Sequence, residues 1–403
     1  MAWALTRAPN SLAVRYGGDN RIMNSKARDL HFSSLLVDCH ADSPDRMVDQ
    51  GEDLGRGGEQ GHIDLPRMRE GGLDAVFFSA WIRPELIPEK QCIQRVLQDI
   101  DAVKRLCSSY PDEIELATTA GDIRRIVSAG KLAAILCVEG GHAIEDDLAV
   151  LRQFYDLGVR YMTLTWSNNN NWADGCLDTP KHNGLTPFGV EVVQEMNRMG
   201  MMVDISHVSE KTFWDALKAS SKPVIASHSS ARAICDHPRN LRDEQIKAVA
   251  DGGGVVCVTF VPAFISEDVR IANDGLREKH QLEEKSLEDE HAGDEAGLKR
   301  AKEALKAKFD EQVKQLPTPD LGVIVDHIEH MIDVAGPNHV GLGSDFDGVL
   351  SLPVGMEDCS KLPALTAELL RRGQSDDTVQ KVLGGNLLRV MGEIMGPTTW
   401  QPT

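Results

Sequence analysis

Residues 201–240 constrain the fold more than any other stretch of the chain. They hold two short β-type runs, residues 202–205 and Val224–Ala226, and each leads into the dipeptide Ser-His: Ser206-His207 and Ser227-His228. The intervening residues 210–220 have helical character, so the unit reads as strand–helix–strand with parallel strands. Parallel strands joined in this way send their carboxyl ends to one side of a sheet, where α/β proteins place their chemistry. A lone histidine after a strand is usually a hydrogen-bonded structural residue. Two in consecutive units, in the same dipeptide context, favour a shared role.

The same alternation runs through most of the chain. Strand-like apolar runs occupy residues 35–40, 75–81, 133–138, 159–166, 202–205, 224–226, 255–260 and 340–348. Helical patterns fall at about 89–108, 120–129, 188–199 and 210–220, with two more near 362–372 and 377–395. Eight strands in repeating βα units predict a closed (β/α)8 TIM-type barrel, and 403 residues leave room for insertions. An open doubly wound sheet would carry a Gly-rich turn after its first strand, and His40-Ala41-Asp42-Ser43-Pro44-Asp45 is no such turn. The expected layout is an N-terminal arm over 1–34, one domain over 35–395 and a tail over 396–403. Residues 266–316 break the pattern with dense charge. Within them Leu298, Ala301, Leu305, Phe309, Val313 and Leu316 fall at helical spacing. We read a charged helical insertion after strand seven, a polar linker followed by an amphipathic helix, as a solvated surface excursion, with a lid over the barrel mouth or an oligomer contact as the functional alternatives.

Charge and cysteines narrow the class. The 62 acidic residues against 43 basic ones give a net charge of −19, which disfavours nucleic acid or an anionic membrane as partner. Eight cysteines stand singly with no CxxC pair, so they read as small buried residues and not as a disulfide framework or thiolate metal site. The first thirty residues lack a sustained apolar core, and no apolar run nears the roughly 18 residues of a spanning helix. The expectation is a reduced, cytoplasmic protein without a membrane partner.

The polar residues at the strand ends form a set. Strand one gives His40 and Asp42, strand three Glu139, strand five His207, strand six His228 and strand eight Asp345. Three histidines and three carboxylates at one barrel mouth suit zinc or another divalent ion. One tetrahedral ion needs about four ligands, so the set predicts two ions bridged by Glu139. His40 and Asp42 would hold one and His207 and His228 the other, with Asp345 moving the proton. His142, His182 and His237 lie nearby in sequence and are not expected to be ligands. Asp345-x-Asp347-Gly348 resembles only a fragment of a calcium loop.

These residues resemble the renal (membrane) dipeptidase family of zinc metallopeptidases, within the amidohydrolase superfamily. The likeness runs from about residue 35 to 395, outside the charged insertion. It is carried jointly by VDCHAD, VEGGHAI, GVRYMTLTWSNN, VDISHVS, IASHSSAR, HPRNL, GSDFDG and GGNLLRV. The resemblance implies a (β/α)8 barrel and a dipeptidase that uses a binuclear zinc-bound hydroxide. It implies His40 and Asp42 as ligands of one zinc, Glu139 as the bridge, His207 and His228 as ligands of the second, and Asp345 as the acid/base. Arg239 of HPRN matches the arginine that grips the substrate's carboxylate, a task suited to a bidentate guanidinium. A homodimer is also implied by the family.

Two departures mark the substrate side. Trp166 in LTWS stands where the best-known members carry a histidine that contacts the scissile carbonyl, and Phe264 stands where some relatives have tyrosine. An indole donates only through Nε1–H and cannot become charged. Asn168 and its neighbours Asn169 to Asn171 supply amide donors nearby. The expected substrate is therefore a dipeptide or small amide with a free carboxylate. Two rival readings remain: an amidohydrolase acting on an N-acyl amino acid, lactam or modified peptide, and a ligand-binding homologue without turnover.

Overall fold

A computed structural model of the chain describes residues 24–395 and a two-residue antiparallel pairing, Arg15–Tyr16 with Arg21–Ile22. Much of the expected N-terminal arm and all of the 396–403 tail lie outside the described residues. From Asn24 onward the arm is ordered structure. The Asn24 side chain accepts the Ala27 N–H at 2.8 Å and starts the helix Ser25–Ser33. His31 anchors that helix, with Nδ1 2.7 Å from Thr366 Oγ1 and Nε2 2.8 Å from the Gly71 carbonyl.

Eight parallel strands close the barrel: β1 Val37–Ala41, β2 Ala75–Trp81, β3 Leu132–Glu139, β4 Val159–Thr163, β5 Met202–Asp204, β6 Val224–Ala226, β7 Val255–Val258 and β8 Val340–Leu342. Each pairs with the next, and Leu342 of β8 pairs with Asp38 of β1 to complete the ring. A ninth short strand, Ile114–Leu116, extends β3 outside the ring and was not expected. The runs are mostly apolar because both faces are buried, and their few polar residues, such as Asp38 and Asp204, are buried with them. Cys39, Phe77, Ile135, Cys137, Tyr161, Met202, Ile225 and Cys257 pack in one cluster, with Leu387, Met391 and Ile394 of the C-terminal helix Asn386–Met395. Alternate residues such as Val76, Phe78, Leu136, Val138, Met162, Val203 and Val256 belong to the surrounding helical layer's core.

Three boundaries differ from expectation. Strand eight ends at Leu342, and residues 343–348 turn away as loop, with Asp345 and Asp347 at φ +65° and +68°. The helix expected over 377–395 is interrupted by a wider turn at Lys381–Gly385. The linker expected at the start of the insertion is instead the 24-residue helix Glu267–Glu290, packed against Glu295–Lys314 as a hairpin. Its polar sequence folds because charges pair along and between the helices: Arg270 with Glu267 and Asp274, Lys302 with Glu284 and Glu288, and Lys308 with Glu283. No helix among the described residues is long and apolar enough to cross a membrane.

Candidate metal centre

Each strand delivers its donor as it leaves the barrel. His40 is the penultimate residue of β1 with Asp42 just past its end, Glu139 is the last residue of β3, and His207 and His228 follow β5 and β6. His207 sits at φ +68°, a left-handed conformation that costs a non-glycine residue on the order of 1 kcal/mol or more. Two buried aspartates hold these turns in place. Asp204 accepts from Ser206 N (3.1 Å), Ser227 N (2.8 Å), Ser227 Oγ (2.6 Å) and Thr163 Oγ1 (2.5 Å), tying β4, β5 and β6 together. Asp38 accepts from His40 N (3.2 Å), Ser344 N (2.9 Å) and Ser344 Oγ (2.5 Å), which joins the ends of β1 and β8. Gly348 must be glycine, because a Cβ there would overlap the carboxylates of Asp42 and Asp345.

The donors converge as expected. His40 Nε2 lies 3.2 Å from Glu139 Oε2 and 3.5 Å from Asp42 Oδ1. The other oxygen, Glu139 Oε1, lies 2.6 Å from His207 Nε2 and 3.4 Å from His228 Nε2. One carboxylate therefore turns one oxygen to each half of the set. His40, Glu139 and His228 form one compact group of possible ligand atoms, and His40, Asp42 and Asp345 form another.

Proton bookkeeping shows that this set fits a cation. Tyr161 Oη donates to the Cys39 carbonyl at 2.9 Å, so it accepts from His40 Nδ1 at 2.6 Å. Ser227 Oγ donates to Asp204, so it accepts from His228 Nδ1 at 2.7 Å. With Nδ1 bonded outward in both rings, each turns Nε2 to the centre, where a bound cation would take the place of a proton. The Nε2 atoms of His207 and His228 face each other at 2.9 Å, and His40 Nε2 and Asp42 Oδ1 are buried without a hydrogen-bond partner. Lone pairs and carboxylate oxygens so close together need positive charge among them.

The electrostatics agree. Burial alone would raise the Glu139 carboxyl, yet the facing His40 and His207 hold it well below the usual range. Burial would lower His40, and the Glu139 and Asp42 carboxylates instead pull it well above its ordinary value. Burial, then the Asp42 carboxylate, push the Asp345 carboxyl up to about 7.

A cavity of about 680 Å³ opens over the donors, with Asp42, Glu139, His207 and Asp345 among its lining. Trp166, Phe264 and Asn168 also line it, and the Trp166 ring lies 6.1 Å from the His207 ring. Arg239 lines an adjoining recess that shares His207. It is only 3% exposed; its Nη2 donates to the His228 carbonyl at 3.1 Å, while Nε and Nη1 have no partner. Its guanidinium lies 5.4 Å from the centre of the Phe264 ring.

The asparagines do not replace the histidine absent at Trp166. Asn168 donates to the Asn169 carbonyl, Asn169 to Thr179, Asn170 to Leu164 and Asn171 to Asp146, so one N–H of each amide is engaged away from the metal ligands. The buried, unpartnered indole N–H of Trp81, at the end of β2, is a donor that the sequence did not single out. The three other histidines stay out of the donor set. His142 Nε2 meets the Ile82 carbonyl, His182 Nε2 meets the Asn170 carbonyl, and His237 accepts from Arg239 N and packs on Phe264. Asp347 is engaged by Ser43, Arg46 and the His62 backbone.

The supporting residues were missed. Tyr161, Ser227, Asp204 and Asp38 hold the ligands without being ligands. A signal existed: an aspartate inside an apolar strand, two or three residues ahead of the donor histidine, as in Val37-Asp38-Cys39-His40 and Val203-Asp204-Ile205-Ser206-His207.

Comparison with known proteins gives a consistent picture. The family model described as membrane dipeptidase (peptidase family M19) matches residues 24–398. Dipeptidase 3 of Rattus norvegicus is 36% identical over 340 residues, 83% of this chain and 59% of that protein. Dipeptidase 3 of Mus musculus is 35% identical over 369 residues, 89% of this chain and 64% of that protein. The chain thus spans about three fifths of the length of these curated relatives. Among solved structures, the probable dipeptidase PvdM of Pseudomonas aeruginosa aligns with a TM-score of 0.80 at 27% identity, covering 92% of this chain and 97% of that one. A metallopeptidase of Rhodobacter sphaeroides, liganded with a phosphinate mimic of L-Ala-D-Ala, aligns with a TM-score of 0.72 at 26% identity, covering 90% and 99%.

Proposed function

The chain belongs to the membrane dipeptidase family, peptidase family M19, and from that premise we propose that it is a zinc-dependent dipeptidase acting on substrates with a free carboxylate. The observation that carries this reading is the convergence of His40, Asp42, Glu139, His207 and His228, whose facing atoms lie 2.6–3.5 Å apart with His40 Nε2 and Asp42 Oδ1 left without a hydrogen-bond partner, beneath a cavity lined by Asp42, Glu139 and His207.

In this reading His40 and Asp42 would hold one zinc ion and His207 and His228 a second, and Glu139, which turns one oxygen to each half, would serve both. Such ions would lower the pKa of a water molecule and polarise the scissile carbonyl. Asp345, beside Asp42 in the cavity and poised near neutral pH, takes the proton of the attacking water and passes it to the leaving amine. Arg239 offers the N–H groups of its unpartnered Nε and Nη1 to the substrate's carboxylate, with Phe264 beneath the guanidinium. Trp166 packs beside His207 and shapes the cavity, and Asn168 contributes an unpartnered carbonyl oxygen. The solved relative bound to a dipeptide mimic supports the substrate class. All eight cysteines are unpaired, which supports the cytoplasmic reading.

The test is cleavage of a dipeptide panel by zinc-loaded protein, with Asp345→Asn alongside. Wild type should hydrolyse dipeptides, and Asp345→Asn should lose about 10²–10⁴-fold in kcat while keeping its metal. Equal rates in the two proteins would overturn the assignment of Asp345. Turnover of N-acyl amino acids with none of dipeptides would move the substrate class.

A further inference from the structure

The helical hairpin turns one stripe of each helix to the cavity. Val269, Asn273 and Arg277 recur every four residues on Glu267–Glu290, and Phe309, Val313 and Leu316 recur at helical spacing at the end of the second helix. All six line the same cavity as Glu139, His207 and Asp345. The stripe from the second helix is wholly apolar, yet its three side chains are only half-buried, so part of each faces the cavity instead of protein. The hairpin's charges are largely spent on one another, as in Lys302 with Glu284 and Glu288 or Lys308 with Glu283. An ionic floor beneath an apolar wall is the pattern of a site that orients a polar group and encloses an apolar one. At about 680 Å³ the cavity is larger than two alanine residues require.

Phe264 fixes the end of the substrate that meets this wall. It lines the cavity, and its ring also lies under the guanidinium of Arg239. Phe264 therefore links Arg239 to the cavity that the hairpin lines, and a residue held by its carboxylate on Arg239 would have its side chain on the Phe264 side. We propose that the hairpin is a specificity element: Phe309, Val313 and Leu316, with Phe264, form a subsite for a large apolar or aromatic side chain on the carboxylate-bearing residue of the substrate. This rests on the dipeptidase reading and adds the substrate class to it.

The test compares kcat/KM for Ala-Phe and Ala-Ala, with the second residue of either hand, using the zinc-loaded full chain. Wild type should favour Ala-Phe by about tenfold or more. The double variant Phe309→Ala/Val313→Ala should bring that ratio close to one, and Phe309→Leu should keep most of it. Both substrates are read on the same active molecules, so partial unfolding does not move the ratio. Phosphinate dipeptide mimics carrying benzyl or methyl at that position should show the same ratio in their inhibition constants. If wild type cleaves both dipeptides without preference, or the double variant keeps the wild-type ratio, the hairpin assignment is overturned and the dipeptidase reading stands. If wild type cleaves neither and binds neither mimic, both fall.

Discussion

The donor rim and the helical hairpin border one cavity and are built by opposite means. At the rim every donor is buried, and the ring nitrogens of His40 and His228 that face away from the centre are fixed by Tyr161 and Ser227. Asp38 and Asp204, beneath them, lock the strand ends by multiple hydrogen bonds. The hairpin buries little beyond Val269, Asn273, Gly297 and Leu305, and is laced by surface ion pairs worth about 0.5 kcal/mol or less each. Metal chemistry needs ligands held to a fraction of an ångström, and only interlocked strand ends supply that. Substrate choice needs a wall of the right shape, which an appended pair of helices can provide without disturbing the ring beneath.

This contrast is sharpened first at the rim. Tyr161→Phe leaves His40 Nδ1–H without its acceptor and the Cys39 carbonyl without its donor. Metal affinity should fall about 10–100-fold, as for other residues that orient a ligand. Competition with a chromophoric chelator measures it, and unchanged affinity would detach Tyr161 from the centre.

A second experiment addresses the joint between the two regions. His327 Nδ1 accepts the N–H of Ala231, after β6, at 3.0 Å, and Nε2 donates to the carbonyl of Ile265, at the hairpin's root, at 3.0 Å. Burial lowers its pKa to about 4, against an ordinary value of 6.5. The unfolded chain then binds a proton that the folded one refuses, so this contribution is full above pH 6.5 and is lost as pH falls toward 4. His327→Gln should be less stable at pH 7.5 and show a shallower loss down to pH 5 in urea titrations. Parallel pH profiles for the two proteins would remove His327 from the account.

The smallest effect is expected on the hairpin's outside. Lys302→Ala removes the pairs with Glu284 and Glu288 and should leave the urea unfolding midpoint close to that of wild type. A marked fall in that midpoint would mean that the hairpin is held as tightly as the rim.

The two regions also differed in how far their sequences could be read. His40, Glu139, His207 and His228 stand at the ends of apolar runs, so the strand pattern alone carried them to one rim. Asp345 reaches the same rim although its strand stops three residues earlier, because the Ser344 turn brings it back over β1 through its N–H to the His40 carbonyl. Glu267–Glu290 could not be read as a helix from apolar periodicity, since its order comes from ionic pairs with a partner helix ten or more residues away. The asparagines after Trp166 misled for a related reason. An amide's availability depends on which acceptors the folded chain sets beside it, and each of the four amide nitrogens already donates to one.

Metal content per chain tests the central claim most directly. Wild type dialysed against metal-free buffer after zinc loading should retain two equivalents by elemental analysis, and Glu139→Gln, which weakens the link between the two halves, should retain one or none. A wild type that keeps no divalent metal, or a Glu139→Gln variant that still holds two, would contradict the account.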